Sequence, residues 1–229
     1  MRRPGRRESS IDWIFLLPAI VRTADFEMLR MGLPGGKITN VKLPPLILAS
    51  ASPRRSELLR QLNAEFRVIP SNATEIRSED LSPGELSQIN AYRKARVISK
   101  QHPDDLVIGM DTLVALDDVV FGKPASLAEA REMLLRLQGR LHVVVTGVCL
   151  IHLRRHRQRI FAELTQVTLK PLSVTQIEAY HAAVNPLDKA GAYGIQEQGD
   201  MLVESVEGSF SNVVGLPVER LRAELECFA

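Results

Sequence analysis

In the stretch LILASASPRRSELLRQL, residues 46–62, an apolar run ends in small residues and two arginines follow a Ser-Pro pair. Ser52 reads as a helix N-cap and Pro53 as the first helical position, which places Arg54 and Arg55 in the first turn. A helix start carries roughly half a positive charge, so each cation there is disfavoured by about 0.3–1 kcal/mol. An anion at the same point reverses the sign, because backbone N–H groups, the dipole and two guanidinium forks then converge on it. The expectation is an anion site at this helix start.

Asp111 interrupts the apolar run LVIGMDTLVAL, residues 106–116. An ionised carboxylate buried there without a partner would cost several kcal/mol. Two readings stand: a strand-end aspartate that caps a turn or pairs with an arginine, or a metal ligand or general base facing a cleft. Twelve residues on, FGKP places Lys123 on a turn between Gly and Pro. Glu75 lies in the polar loop IPSNATEIRSED, and Lys94 shares a helix with Arg93 and Arg96, a basic face of the kind that is usually solvated. Near the C-terminus, five glycines from Gly191 to Gly215 punctuate DKAGAYGIQEQGDMLVESVEGSFSNVVGLPVERL. There Gln196 and Asn212 carry amides able to read a base edge, and Tyr193 reads as core. The segment is neither G-x-G-x-x-G nor a phosphate loop ending in Gly-Lys-Ser/Thr, which disfavours a Rossmann dehydrogenase or a P-loop NTPase.

Other constellations fail. His152 and His156 have i, i+4 spacing but fall in a hairpin turn rather than on one helix face. Ser50 and Ser52 lack the G-x-S-x-G elbow of serine hydrolases. Aromatics are scarce and do not alternate with basic residues, against a single-strand nucleic-acid platform.

The elements that must position these residues alternate from residue 45 onward, which predicts an α/β domain. LILAS reads as a strand buried on both faces, followed by a helix with Leu58, Leu59 and Leu62 inward. Capping-box spacings at Ser82/Glu85, Ser126/Glu129 and Ser173/Gln176 mark three more helix starts, and Gly139 a helix end. Strands are predicted at 106–116, 142–152 and 160–169, the last two flanking the basic turn LRRHRQR as an antiparallel hairpin. Hairpins beside crossover helices imply a mixed sheet.

The 229 residues, 45% hydrophobic and 24% charged, suit a soluble chain with a sizeable core. A net charge of +2 points to no particular partner. Two distant cysteines, Cys149 and Cys227, form no disulfide framework and fit a reducing compartment, taken as the cytoplasm. The basic MRRPGRR before IDWIFLLPAIV outlines a signal peptide, but Asp12 and Pro18 break the apolar run and no clean cleavage site follows. The run is too short to span a bilayer. Residues 1–44 are expected to be a poorly ordered extension, or sequence upstream of a start at Met28 or Met31.

The motifs LASASPRRSELL, MDTLVALDDVVFGKP, LHVVVTGV and DKAGAYGIQEQG…VEGSFSNVVGLP occur in that order over residues 45–229. Together they resemble the Maf (septum formation inhibitor) family of nucleoside triphosphate pyrophosphatases. The resemblance implies a mixed twisted sheet with flanking helices and two lobes around a cleft, related to the inosine triphosphate pyrophosphatase fold. It also implies cleavage between the α and β phosphates, with Mg²⁺ or Mn²⁺ as cofactor. Asp111 falls on the family's proton acceptor, and Arg54, Thr112 and Gln196 on positions tied to substrate choice. Arg55, Glu75, Lys94 and Lys123 fall on further polar cleft positions. Asp111 and Glu75 would be the carboxylates for the metal, and Ser52 would stand beside the phosphates. GAYGIQ resembles the branch acting on dTTP and UTP, with modified pyrimidine nucleotides in the same class. Met110, Glu197 and Ser211 depart from residues common at their positions. The implied partners are a nucleoside triphosphate and a second copy in a homodimer, with no membrane and no nucleic acid. The alternatives are a non-catalytic nucleotide-binding regulator of cell division and a nucleic-acid binder led by the basic N-terminus.

Overall fold

The computed structural model describes residues 20–22 and 43–228. Of the segment expected as an extension over residues 1–44, residues 20–22 form strand β1 (Ile20–Arg22) and residues 43–44 lead into the next strand. The others lie outside the described residues. The chain continues through β2 (Leu46–Leu48), α1 (Pro53–Arg60), β3 (Phe66–Val68), α2 (Pro83–Gln101), β4 (Leu106–Leu116) and β5 (Val119–Phe121). Then come α3 (Leu127–Leu137), β6 (Leu141–His152), β7 (Arg157–Leu169), α4 (Val174–Ala183) and a 3-10 turn at Ala190–Ala192. Short α5 (Gly199–Leu202), β8 (Val203–Glu207), α6 (Phe210–Val214) and α7 (Val218–Glu226) complete it.

The strands form one mixed sheet in the order β1-β8-β7-β6-β4-β2-β3, with β5 on β4. β2 runs parallel to β3 and β4, and the other pairs are antiparallel. The long apolar strands and the hairpin fall where their patterning predicts, although β7 begins three residues earlier than expected, at Arg157.

Strand alternation divides the core in two. Ile47, Val107, Cys149 and Ile151 face Ala91, Ala95 and Ile98 of α2. Leu48, Ile108, Met110 and Leu150 face the larger cluster that includes α1, α3, α4 and α7. α2 lies directly on the sheet because the strands beneath it carry glycine. A Cβ on Gly109 would meet Ala91 O at 2.3 Å, and one on Gly147 would meet the Ser87 carbonyl at 2.3 Å.

Full capping boxes close the starts of α2 and α4 as predicted, and Gly139, at φ 66°, ends α3. At α3 the box is half formed: Ser126 accepts from Glu129 N–H, while the Glu129 carboxylate accepts from Ala125 instead. The N-cap reading of Ser52 needs correction. Its backbone is extended, as a cap requires, but its side chain makes no cap hydrogen bond. Pro53 pre-sets the helical φ, so this start can form without a side-chain cap.

β4 positions the cleft. One edge pairs with β6 along almost its whole length. The other pairs with β2 through Ile108 and with β5 from Val114. Between those two partners, residues 111–113 face an opening in the sheet.

Candidate active site

Every residue to which the family resemblance gives a role lines this opening, a cleft of about 890 Å³ open to solvent, whereas Asn212 does not. Ser52, Arg54 and Arg55 come from the start of α1, and Glu75 from the loop after β3. Lys94 comes from α2, Asp111 and Thr112 from β4, and Lys123 from the turn after β5. Gln196 comes from the segment after the 3-10 turn.

Adjacent on β4, Asp111 and Thr112 point to opposite faces. Asp111, 4% exposed, turns to α2, where Lys94 Nζ donates to its Oδ1 at 2.7 Å and Asn90 Nδ2 to its Oδ2 at 3.2 Å. Lys94 also donates to Glu75 Oε1 at 2.6 Å, so one ammonium joins two carboxylates. Burial pushes the Asp111 carboxyl above its usual range, against the charge and hydrogen bond of Lys94, and the Glu75 charge adds to the rise. Burial also pushes Glu75 upward, but the hydrogen bond and charge of Lys94, helped by Lys123, outweigh it and hold Glu75 low. The two carboxyls are thus driven apart in acidity, the pattern that separates a proton acceptor from a permanent charge. Of the two readings of Asp111, partner to a structural arginine or functional carboxylate, the geometry favours the second.

Thr112 turns to α1. Its Oγ1 accepts from Arg55 Nη2 at 2.9 Å and shares a hydrogen bond with Thr146 at 3.0 Å. Arg55 donates further to Gly215 O, Ser50 Oγ and Met110 O. Most of its donors are therefore engaged within the protein, and the fork expected to aim at an anion instead braces α1, β4 and the end of α6. Gly215 sits at φ 117°, where a side chain would be strained. Burial lowers the Arg55 pKa from its usual value, with Asp111 opposing.

Arg54 crosses the cleft to the segment after α4. Its Nη1 donates to Asp188 Oδ2 at 2.8 Å and lies 3.8 Å from Glu197, and its Nη2 donates to the Asp188 carbonyl. Behind them Lys189, 4% exposed, donates to Asn185 O and Asp188 Oδ1, with Glu197 Oε1 at 3.1 Å. Sequence reading gave no role to Asn90, nor to Asp188 and Lys189 at the head of the motif DKAGAYGIQEQG: an amide inside a helix and a charged pair in a loop carry no periodic signal. The contacts of Asn212 overturn the base-reading expectation. It is buried, its amide donating to Val144 O, Glu163 O and Thr165 Oγ1, and it ties α6 to the β6–β7 hairpin. Tyr193 is core as predicted, its hydroxyl sharing a 2.7 Å hydrogen bond with His142 Nε2.

Among the described residues, no three His, Cys, Asp or Glu side chains gather as a ready metal cage, and no helix is long and apolar enough to cross a membrane. The available donor set is the Asp111 and Glu75 pair. Two hard oxygen donors facing a cleft suit a small divalent cation that completes its shell with ligand oxygens.

Fold and site together define an α/β protein whose mixed sheet opens into a charged cleft built around a strand-borne carboxylate. The chain belongs to the family described as Maf-like protein, which matches residues 45–228. It is 48% identical over 175 residues to the dTTP/UTP pyrophosphatase of Symbiobacterium thermophilum, covering 76% of this chain and 89% of that protein. Identity to the dTTP/UTP pyrophosphatase of Clostridioides difficile is 44% over 176 residues, covering 77% and 91%. The namesake from Bacillus velezensis is 45% identical over 184 residues, covering 80% and 96%. A solved HAM1 protein from Coxiella burnetii aligns with 56% of this chain and 73% of its own at 18% identity and a TM-score of 0.36, a likeness that carries no argument.

Proposed function

We propose that this protein hydrolyses dTTP and UTP between the α and β phosphates, giving the nucleoside monophosphate and pyrophosphate. One observation carries the chemistry: a buried carboxylate, Asp111, is held by Lys94 and Asn90 at the floor of a cleft whose rim holds Arg54 and Lys123. The relatives' shared name supplies the substrate.

Asp111 takes the proton of a water as that water's oxygen bonds to the α phosphorus. The bond from that phosphorus to the bridging oxygen breaks, and its electron pair leaves with pyrophosphate. Lys94 and Lys123 offset negative charge as it grows on the leaving group. Arg54, with the first-turn N–H groups of α1 near Ser52, holds the phosphate chain. Gln196 and Thr112, which line the same cleft, are the residues to distinguish base and sugar. A Mg²⁺ or Mn²⁺ ion, held by Asp111 and Glu75, would supply further charge neutralisation to the phosphates. The free thiols of Cys149 and Cys227 accord with a cytoplasmic setting.

The test is release of pyrophosphate and monophosphate from a panel of nucleoside triphosphates with Mg²⁺ or Mn²⁺. Wild type should act mainly on dTTP and UTP, and Asp111→Asn should lose at least about a hundredfold in turnover, the scale of a lost general base. Release of orthophosphate, or near-normal turnover by Asp111→Asn, sinks the mechanism. Tight nucleotide binding without any release would support the regulator reading instead.

A further inference from the structure

α2 grips the loop between β3 and α2 with three side chains. Arg93 Nε donates to Thr74 O at 3.1 Å, and Lys94 Nζ to the Glu75 side chain. Asn90 takes the next residue from both sides: its Oδ1 accepts from Ile76 N–H at 2.9 Å, and its Nδ2 donates to Ile76 O at 3.2 Å. The same Nδ2 donates to Asp111 Oδ2 at 3.2 Å. Asn90 is 2% exposed and stands one helical turn before Lys94, on the same face. The two oxygens of Asp111 thus take one donor each from α2, a charged one from Lys94 and a neutral one from Asn90.

The loop has no regular structure from residue 69 to residue 82, and after the Ile69 N–H bond to the Leu48 carbonyl its backbone is held by side chains. An amide is suited to this task, because it offers an acceptor and two donors at once and adds no charge beside two carboxylates. A residue buried this deeply that only filled space would be apolar. From this convergence, and resting on the hydrolase reading above, we infer that Asn90 is a positioning residue that fixes the Asp111 carboxylate and the Glu75 loop relative to each other. It touches no phosphate and acts through the two carboxylates.

Three measurements test this. In wild type without nucleotide, amide hydrogen exchange at Ile76 should be at least about tenfold slower than at Arg77, because the Ile76 N–H is held by the Asn90 side chain. Equal exchange at the two amides overturns the clamp, and this readout needs no variant to fold. In Asn90→Leu, shown folded by its thermal melt, kcat for dTTP should fall about ten- to a hundredfold, the scale of a lost orienting partner, with KM within about threefold. An unchanged kcat, or a loss carried wholly by KM, overturns the inference. Asp111→Asn separates the two claims: if it remains active, the hydrolytic mechanism fails while slow exchange at Ile76 still stands.

Discussion

The two walls of the cleft are built differently. On one, Asp111 and Lys94 stand on a strand and a helix packed backbone to backbone, with side chains 6% and 14% exposed. On the other, Arg54 meets Asp188 and Glu197 in a segment with little regular structure, and those side chains are 23%, 46% and 42% exposed. The distances are similar, 2.7 Å and 2.8 Å, yet the energetics are not. Removing one partner of a buried pair typically costs about 3–5 kcal/mol, whereas an exposed pair contributes about 0–1 kcal/mol. Distance alone therefore does not rank the ion pairs. The first wall can hold a reacting group within tight limits, and the second can exchange its partners for a ligand at small cost.

The sharpest way to break this contrast is to lift α2 from the sheet. Gly147 pairs in register with Asp111, and a Cβ there would lie 2.3 Å from the Ser87 carbonyl, which cannot swing away as a side-chain tip can. Gly147→Ala should cost about 3 kcal/mol, at the upper end of ordinary overpacking, and should lower turnover with it as Lys94 and Asn90 draw back from Asp111. Urea denaturation beside dTTP turnover reads both. A change in stability below about 0.5 kcal/mol, the range of an inert surface substitution, would show that the wall is not rigid.

The same contrast explains what the sequence reveals. Apolar runs and capping pairs located β4, β6, the hairpin and the helix starts, because burial and backbone capping are written locally. Asp111 stood out since a carboxylate in an apolar strand demands a reason. Residue physics alone left Glu75 as loop and Lys94 as a solvated face. Only the resemblance to the family put them at the cleft, since their meeting depends on how α2 lies on the sheet. Asn90 left no trace for the same reason, and Asp188 and Lys189, though they open the motif DKAGAYGIQEQG, were given no role. Asn212 misled in the opposite direction: its amide suits a base edge and equally a set of buried carbonyls, and tertiary packing decides between them. Ser52 misled because Pro53 makes its cap dispensable.

Behind the second wall sits a group that can be titrated. His142 on β6 is 1% exposed and bonded to Tyr193, and burial pushes its pKa down to about 4. The folded state therefore rejects a proton that the unfolded chain accepts near pH 6.5. The resulting stability is complete above that value and is lost as pH falls from about 6.5 toward 4, a change of about 3 kcal/mol. His142→Gln cannot titrate there, so its urea stability should fall less than that of wild type between pH 7 and pH 4.5. Equal losses in the two proteins would show that this support contributes nothing to the acid response.

The smallest effect is expected at the rim, and its sign is informative. Asp188 neutralises Arg54 and also accepts from Lys189, so a bound phosphate must compete with it for the guanidinium. Asp188→Asn keeps the shape and removes the competing charge. The buried Lys189 keeps Glu197 and the Asn185 carbonyl, and the Arg54 pair is partly exposed, so stability should change by about 1 kcal/mol or less. The KM for dTTP should fall a few-fold, and kcat should hold, because an interaction made equally in ground and transition states moves KM alone. A fall in kcat would place Asp188 with the reacting groups. The two walls would then form one rigid unit, and the division of labour between them would be wrong.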